Sequence, residues 1–191
     1  DGLILTHYHS DHACGVSELL WRIPTKCVYA PIFHDEAAEL VYAQTEDIPV
    51  RWEFITEKTT VLCDSGMTLT LFPPVGMIGE NELGISALFS LGEFDALTVG
   101  DMNGITETAF ADIFDLPDIE LLIVGHHGSK YSSSAGFLDA LKPETAFISV
   151  GENSYGHPAK ETLARLYERG IAVYRTDLNG TLTLRHGKGG K

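Results

Sequence analysis

The segment most informative about the fold is THYHSDH, residues 6–12, which follows a short apolar strand-like run. It places three imidazoles and one carboxylate within six residues. Burying such a set without a cation would be costly, whereas a loop at a strand end can bring all four groups to one point. His7 and His9 can share one metal ion, and Asp11 and His12 can hold a second. The pattern therefore predicts a metal centre rather than a polar surface loop.

The length and composition indicate a single domain over residues 1–191. The chain is 44% hydrophobic, 9% aromatic and 21% charged, which excludes a disordered or collagen-like protein. Its longest apolar runs are of strand length, far short of the ~18 residues that a membrane-spanning helix needs. Because the chain begins with Asp1 and has no basic segment before an apolar one, we predict no signal peptide and expect a piece of a longer protein.

The charge distribution limits the classes of partner. The net charge is −14, from 13 Lys and Arg against 27 Asp and Glu. No Lys or Arg occurs from residue 59 to residue 129, a stretch that holds eleven carboxylates. Such a surface repels phosphate at long range, which disfavours an extended nucleic-acid groove unless bound metal ions reverse the local field.

Apolar runs and segments of helical period alternate along the chain, which is typical of an α/β protein with two sheets covered by helices. Two turn signals, Asp64-Ser65-Gly66 and Asn179-Gly180, predict hairpins. The predicted strands lie at residues 3–6, 27–30, 60–62, 67–72, 85–91, 96–99, 120–124, 145–150, 173–175 and 181–185, and the predicted helices at 16–23, 35–43, 106–114, 135–141 and 158–170.

The cysteines do not indicate a site of their own. Three of them, at wide spacing, are too few for a disulfide framework or a paired-cysteine zinc site. A Cys14 thiolate could attract a metal ion, but we expect Cys14, Cys27 and Cys63 to be small buried side chains.

The segment at residues 6–12, with the strand before it, resembles the opening motif of the metallo-β-lactamase superfamily. The resemblance implies an αββα sandwich that binds two divalent ions, Zn²⁺ or Mn²⁺, with the four side chains named above as ligands. It also implies that Asp101, after Val-Gly at a strand end, bridges both ions. The last ligand would come from VGHHGS at residues 124–129. Neighbouring side chains of an extended chain point to opposite faces, so we expect one of His126 and His127 to be that ligand; the family position favours His126, and the opposite assignment stays open.

Three further segments resemble signature pieces of the ComEC-like branch of this superfamily: HHGSKYSSS at residues 126–134, ISVGENSYGHP at 148–158 and YRTD at 174–177. The resemblance extends from residue 1 to about residue 186. It implies a DNA-directed phosphodiesterase associated with competence and DNA uptake. It also implies a soluble domain attached to the membrane-embedded part of a bacterial ComEC-like protein, on a side of the membrane that the sequence does not identify.

Several polar side chains in these segments suit a phosphate. Hydroxyl, ammonium and amide donors can bind its oxygens, and the candidate substrate-binding residues are Ser129, Lys130, Ser132, Asn153 and Tyr155. The alternative for the serines at 132–134 is an N-cap of the next helix, which suits at least one of them better.

Three candidate catalytic residues complete the site. Asp11 would orient the nucleophile while it binds a metal ion, and His157 or His127 would assist the leaving group. An imidazole can donate a proton near neutral pH. The alternative for His157, followed by proline, is a simple helix entry, and the two interpretations are equally supported.

The chain also departs from the superfamily pattern. His34 is the only candidate for a further ligand before Asp101, and we expect it to be a loop or helix-start residue instead. Cys14 stands where a glycine is usual. The fold normally places several strands before the opening motif, so we expect a first sheet that lacks its N-terminal strands.

Two other functions compete with nuclease activity. One is hydrolysis of a small phosphoester of the choline-phosphate type, for which Trp21, Trp52 and Tyr155 would have to form an aromatic box. The other is a non-catalytic module of a DNA-import protein, which loss of metal ligands would indicate.

Overall fold

The computed structural model describes residues 1–33, 35–63, 66–76 and 83–185, and within them the chain forms ten strands, seven α-helices and one 3₁₀ turn at Gly125–Gly128. None of these helices is both long and apolar enough to cross a membrane. The strands are β1 (Gly2–Ile4), β2 (Cys27–Ala30), β3 (Arg51–Phe54), β4 (Thr59–Leu62), β5 (Thr68–Phe72), β6 (Ser86–Leu91), β7 (Phe94–Thr98), β8 (Leu121–Ile123), β9 (Thr145–Ile148) and β10 (Ala172–Arg175). The helices are α1 (Ser10–Ala13), α2 (Val16–Arg22), α3 (Glu36–Thr45), α4 (Gly104–Ile113), α5 (Ala135–Leu141), α6 (Lys160–Glu168) and α7 (Thr176–Asn179).

The strands of the described residues form two sheets. The smaller sheet is parallel with the order β1-β2-β3, and Gly2 pairs with Cys27, which pairs with Arg51. The larger sheet has the order β10-β9-β8-β7-β6-β5-β4. It is parallel from β7 to β10 and antiparallel from β4 to β7. Helices α4, α5 and α6 connect the successive parallel strands β7 to β10, whereas a two-residue turn connects the antiparallel strands β6 and β7.

Three hydrophobic cores separate four layers. The first, around Val28 and Leu20, joins the smaller sheet to α2 and α3. The second lies between the sheets and includes Leu71 and Ala87 of the larger one, with Ile4 and Tyr29 of the smaller one against them. The third packs the larger sheet against α4, α5 and α6, with Phe110 completely buried. This order of layers confirms the predicted αββα sandwich.

The two sheets meet at the edge where β1 and β7 end. The Ile85 N–H donates to the Thr6 carbonyl at 2.9 Å, and the His126 N–H donates to the Gly100 carbonyl at 3.0 Å. Gly100 has φ +60°, and a Cβ there would lie 3.2 Å from the Thr6 Cβ. Glycine therefore allows the chain to turn closely past β1, just before Asp101.

Several sequence-based expectations were wrong. Residues 176–179 form the helical turn α7 instead of a hairpin, and no strand follows at 181–185. The strand β3 was missed, because half-exposed Arg51–Phe54 lacks a clean alternation of apolar residues. Cys14 is exposed, whereas Cys27 is buried and Cys63 half-buried. The candidate His34 lies outside the described residues, as do two residues of the predicted hairpin, Asp64 and Ser65.

Candidate metal centre

Four candidate ligands lie on one tight turn at the end of β1. His7 and His9 follow the strand, and Asp11 and His12 lie on α1. The backbone N–H groups of His12 and Ala13 both donate to the His9 carbonyl at 2.9 Å, which closes the turn. Residues two apart in extended chain point to the same face, and the turn then returns the next two side chains to that face. The spacing in the sequence thus becomes a cluster in space.

His7, His9 and Asp101 form what we call the inner group. Their ligand atoms lie within 4.8 Å of one another, and His7 Nε2 is 3.8 Å from Asp101 Oδ2. His7 is only 2% exposed and Asp101 4%. Two ligand atoms of one tetrahedral ion, each about 2.1 Å from it, are separated by roughly 3.4 Å. Small side-chain movements would therefore bring all three residues onto one ion.

The state of His7 supports the fit of a cation. Its Nε2 is buried and has no hydrogen-bond partner among the described residues, which costs free energy unless some other group satisfies it. Burial, followed by the influence of His12, lowers the pKa of His7 to about 4. The ring is therefore neutral near pH 7, and a neutral imidazole with an available lone pair is the form that binds a metal.

Asp11, His12, Asp101 and His127 form the outer group, whose ligand atoms also lie within 4.8 Å of one another. His12 Nε2 lies 3.4 Å from Asp101 Oδ1 and 3.3 Å from His127 Nε2. His127 Nε2 lies 3.2 Å from Asp11 Oδ2. The Asp11 side chain is 59% exposed, so the outer group opens to solvent there, whereas His7 of the inner group is buried and His9 half-buried.

Asp101 belongs to both groups. Burial raises the pKa of its carboxyl, but hydrogen bonding to His12 and the charges of His12, His7 and His126 outweigh burial and bring the pKa down to about 2. The same carboxylate raises the pKa of His12, although burial alone would lower it. An anionic carboxylate with one oxygen near each group is the arrangement that lets one residue bridge two ions.

Of the two neighbouring imidazoles in VGHHGS, His127 is the one that joins the outer group, whereas the family position had favoured His126. The prediction assumed an extended chain, but both residues have left-handed backbone angles, φ 51° and 52°, in a 3₁₀ turn. His127 Nδ1 lies 2.8 Å from the Ser149 carbonyl, which can only accept a hydrogen bond. The neutral form of the ring that makes this hydrogen bond carries its proton on Nδ1, which leaves the Nε2 lone pair facing the outer group. The His126 ring packs against His157, with centroids 5.6 Å apart, and its Nε2 lies 3.8 Å from Asp101 Oδ2.

A buried clamp that the sequence analysis missed holds the loop after His127. The carboxylate of Glu107, on α4, is fully buried and accepts the backbone N–H groups of Ser133 and Ser134. The Arg165 guanidinium, on α6, donates to the Ser132 and Ser133 carbonyls at 2.8 Å. Burial raises the pKa of Glu107 despite these donors. The sequence does contain one indication that Glu107 is buried: its carboxylate lies one turn from Phe110, on the apolar face of α4.

The predicted substrate-binding serines differ in accessibility. Ser129 lines a cavity next to His126, although the residue is only 3% exposed. Ser132 is fully buried, and its hydroxyl lies 2.8 Å from the Gly125 carbonyl, to which it donates. In this structure the hydroxyl is directed into the loop and away from the surface, so its predicted contact with substrate would require the loop to rearrange. The helix N-cap is Ser134, which accepts from the Phe137 N–H.

The side chain of Asn153 stabilises the conformation of the segment at residues 151–157. The Asn153 amide donates to the Gly151 and His157 carbonyls, and its oxygen accepts from the Tyr155 and His157 N–H groups. All four bonds close the loop on itself, so the role that the structure gives Asn153 is to shape this segment rather than to bind substrate. Tyr155 is 82% exposed and stacks on the His157 ring. Burial, followed by His126 and His127, lowers the pKa of His157.

The three residues proposed for an aromatic box do not converge. Trp21 lines a depression on α2, Trp52 lines a groove with Tyr42 and Phe54, and Tyr155 lies beside the candidate metal ligands. A quaternary ammonium group needs several ring faces around one point. These three residues therefore form no choline site.

Comparison with known proteins agrees with this geometry. The model of the metallo-beta-lactamase superfamily matches residues 1–152. The chain is 32% identical over its whole length to the competence protein ComA of Neisseria gonorrhoeae, and 31% identical over 97% of its length to ComE operon protein 3 of Bacillus subtilis. It covers only 26% and 24% of these relatives, about a quarter of their length.

A solved structure shares the fold. The metal-dependent hydrolase Tm1679 of the beta-lactamase superfamily superposes with a TM-score of 0.58 at 17% identity, over 97% of this chain and 79% of the other. The ligand cluster lies at the same sheet edge that the opening motif predicted, and the family match extends over most of the chain. The chain therefore belongs to the metallo-beta-lactamase superfamily, with competence proteins among its relatives.

Proposed function

We propose that this domain is a binuclear metal-dependent phosphodiesterase that cleaves DNA. The observation that carries the proposal is Asp101, whose carboxylate belongs to two adjacent ligand groups at once. Two cations at this point would offset the acidic surface where a phosphate must approach. The similarity to two competence proteins favours DNA among phosphodiesters.

His7, His9 and Asp101 would hold one ion, and Asp11, His12, Asp101 and His127 the other. When bound, two such ions supply Lewis-acid chemistry that activates water and neutralises charge on the phosphoryl oxygens. Imidazole and carboxylate donors accept both Zn²⁺ and Mn²⁺. The inner group contributes three ligands and the outer group four, so we expect the two sites to differ in affinity.

The protein itself would supply orientation and proton transfer. Asp11 is anchored beside His127 yet exposed, which lets its second oxygen orient a water at the mouth of the site. His157 lies behind His126, where it can pass a proton to the leaving oxygen. Ser129 and Lys130 border the same opening and would bind the phosphate.

The relatives are about four times longer than this domain, which supports a role as one module of a DNA-uptake protein. We infer that its partners are DNA and the membrane-embedded part of such a protein.

The experiment compares three substrates with the purified chain loaded with Mn²⁺ or Zn²⁺. We expect cleavage of a labelled oligonucleotide and of bis(4-nitrophenyl) phosphate, loss of both activities with a chelator, and no hydrolysis of a phosphorylcholine ester. Hydrolysis of the choline ester alone would favour the small-phosphoester function. Two bound ions without hydrolysis of any substrate would contradict catalysis and favour a non-catalytic module.

A further inference from the structure

Two cavities open beside the candidate ligands and share one wall. We call the first, of about 490 Å³, the basic cavity; among its lining residues are His126, Ser129, Lys130 and Lys160. The second, of about 500 Å³, is bordered by Asp11, His127, Ser149 and Thr176. Tyr155 and His157 line both and form the wall between them. Asp11 and His127 of the outer group line the second cavity, and His126, whose Nε2 lies 3.8 Å from Asp101 Oδ2, lines the basic cavity.

The two cavities differ in charge. Lys130 and Lys160 face the basic cavity, opposed there by Glu161, so its lysines exceed its carboxylates by one. The lining of the second cavity includes no Lys or Arg and contains the Asp11 carboxylate. Lys130 is also the first basic residue after the long acidic stretch at residues 59–129. Positive charge is thus concentrated on one side of the cluster in a protein of net charge −14.

The buried clamp fixes the position of both lysines. Arg165 donates to the Lys130 carbonyl at 3.2 Å, and the Thr162 hydroxyl donates to the Ser129 carbonyl at 2.7 Å. Lys160 begins α6, the helix that carries Arg165 and Thr162. Helix α6 therefore carries Lys160 at the cavity and also holds the backbone that carries Lys130.

The shared wall is also attached to the loop after His127. The Ala159 N–H donates to the Gly128 carbonyl at 2.8 Å. Gly128 has φ +81°, and a Cβ added there would lie 2.6 Å from the Pro158 Cβ. This contact leaves no room for a side chain and fixes His157 at the boundary of the two cavities.

We propose that the basic cavity is a subsite for a second phosphate group of the substrate, on one side only of the bond that is cleaved. The inference rests on the proposed phosphodiesterase function and deepens it, because it specifies that the protein recognises a neighbouring phosphate on one side of the cleaved bond and not on the other. Two lysine ammonium groups suit an additional phosphate, and the exposed ring of Tyr131, over which Lys130 lies at 4.8 Å, offers a face for a base.

The test uses two dinucleotides with the same central diester, pTpT with a 5′ phosphate and TpTp with a 3′ phosphate. With bis(4-nitrophenyl) phosphate as reference, we expect the Mn²⁺-loaded chain to favour one of them over the other by about tenfold or more in kcat/KM. Combining Lys130→Gln with Lys160→Gln should reduce that preference about tenfold or more. Lys142→Gln, at an exposed lysine paired with Asp118, is the matched control and should preserve it.

A binding measurement separates this inference from the catalytic one. Competition by the two dinucleotides against a labelled oligonucleotide, on the metal-free chain, should show the same one-sided preference, and the double variant should abolish it. Equal binding of both, or a preference that survives in the double variant, would overturn the subsite. Failure of the wild-type chain to hydrolyse bis(4-nitrophenyl) phosphate would overturn the proposed function, and the binding preference would still decide the subsite.

Discussion

The inner and outer ligand groups lie side by side but are constructed in different ways. His7 and His9 come from one strand end, and in the inner group His7 and Asp101 are buried and His9 is half-buried. The outer group combines α1 with the loop after β8, and its Asp11 side chain is 59% exposed. Both groups combine two residues of the turn at residues 6–12 with the distant Asp101, and the outer group also needs His127 from a third segment of the chain.

The difference has consequences for metal binding. The inner group has a desolvated, neutral imidazole with no hydrogen-bond partner among the described residues, so a bound ion there should exchange slowly. The outer group depends on His127, whose ring is oriented by the Ser149 carbonyl and whose loop is held by Glu107 and Arg165. We expect changes far from the cluster to disturb the outer site alone.

The largest effect is expected for Asp101→Ala, which removes the residue common to both groups. Two cations would then repel each other without a bridging anion, so we expect less than one ion per chain and turnover of bis(4-nitrophenyl) phosphate reduced by about 10⁴-fold or more. Elemental analysis and initial rates measure both. Asp118→Ala, at an exposed acid, is the control, and an Asp101→Ala protein with two ions and near-normal turnover would contradict the binuclear centre.

Single histidine changes should separate the two groups. We expect His7→Ala to lose the inner ion and His127→Ala the outer ion, each leaving about one ion per chain and reducing turnover by about 10³-fold. His126→Ala should keep both ions, because His127 provides the second imidazole of the outer group. Loss of an ion from the His126→Ala protein, with none lost from His127→Ala, would restore the assignment that the family position favoured.

His157→Ala should slow the reaction without changing either group. A positioned proton donor contributes about 10²–10⁴-fold, so we expect turnover to fall at least about 10²-fold while two ions stay bound. The drop should be smaller for bis(4-nitrophenyl) phosphate than for DNA, because nitrophenolate leaves without a proton. Loss of metal from this variant would instead identify His157 as a ligand.

The smallest effect, confined to the outer group, is expected for Glu107→Gln. An amide offers one acceptor oxygen where the carboxylate offers two, so one of the N–H groups of Ser133 and Ser134 loses its partner. We expect the affinity of the outer ion to fall about 10- to 100-fold, with the inner ion unchanged. Metal titration measures both, with Glu36→Gln at an exposed position as control. Equal weakening of both ions would contradict a clamp specific to the outer group.

The sequence predicted the parts of the site that depend on local spacing. Residues 6–12 follow a strand directly, so their ligand pattern could be interpreted without knowing the rest of the fold. His126 and His127 could not be distinguished, because their left-handed backbone is imposed by a tight turn rather than by the strand before it. The order of layers was predictable because alternating apolar segments have few ways to bury their faces.

The sequence did not predict the residues whose roles depend on distant partners. Glu107 and Arg165 act on a loop 26 and 32 residues away from them, and nothing in the local pattern indicates such a contact. Asn153 was assigned to substrate because its amide is polar, yet its bonds all close its own loop. The prediction for Asn179 failed for a similar reason. Asn-Gly had indicated a hairpin, but the Asn179 side chain accepts from the Arg175 N–H at 2.9 Å and closes a helical turn.

The contact between Gly128 and Pro158 limits how this protein can be redesigned or diversified. The segment at residues 151–157 borders both cavities and is the natural place to alter substrate preference, yet it is fastened at one end to the loop that carries His127. A change that shifts this segment would therefore also shift a metal ligand, and the two effects would not be additive. Related enzymes with new substrates should differ in both segments together, and a graft of one without the other should yield a domain that folds but binds its outer ion poorly.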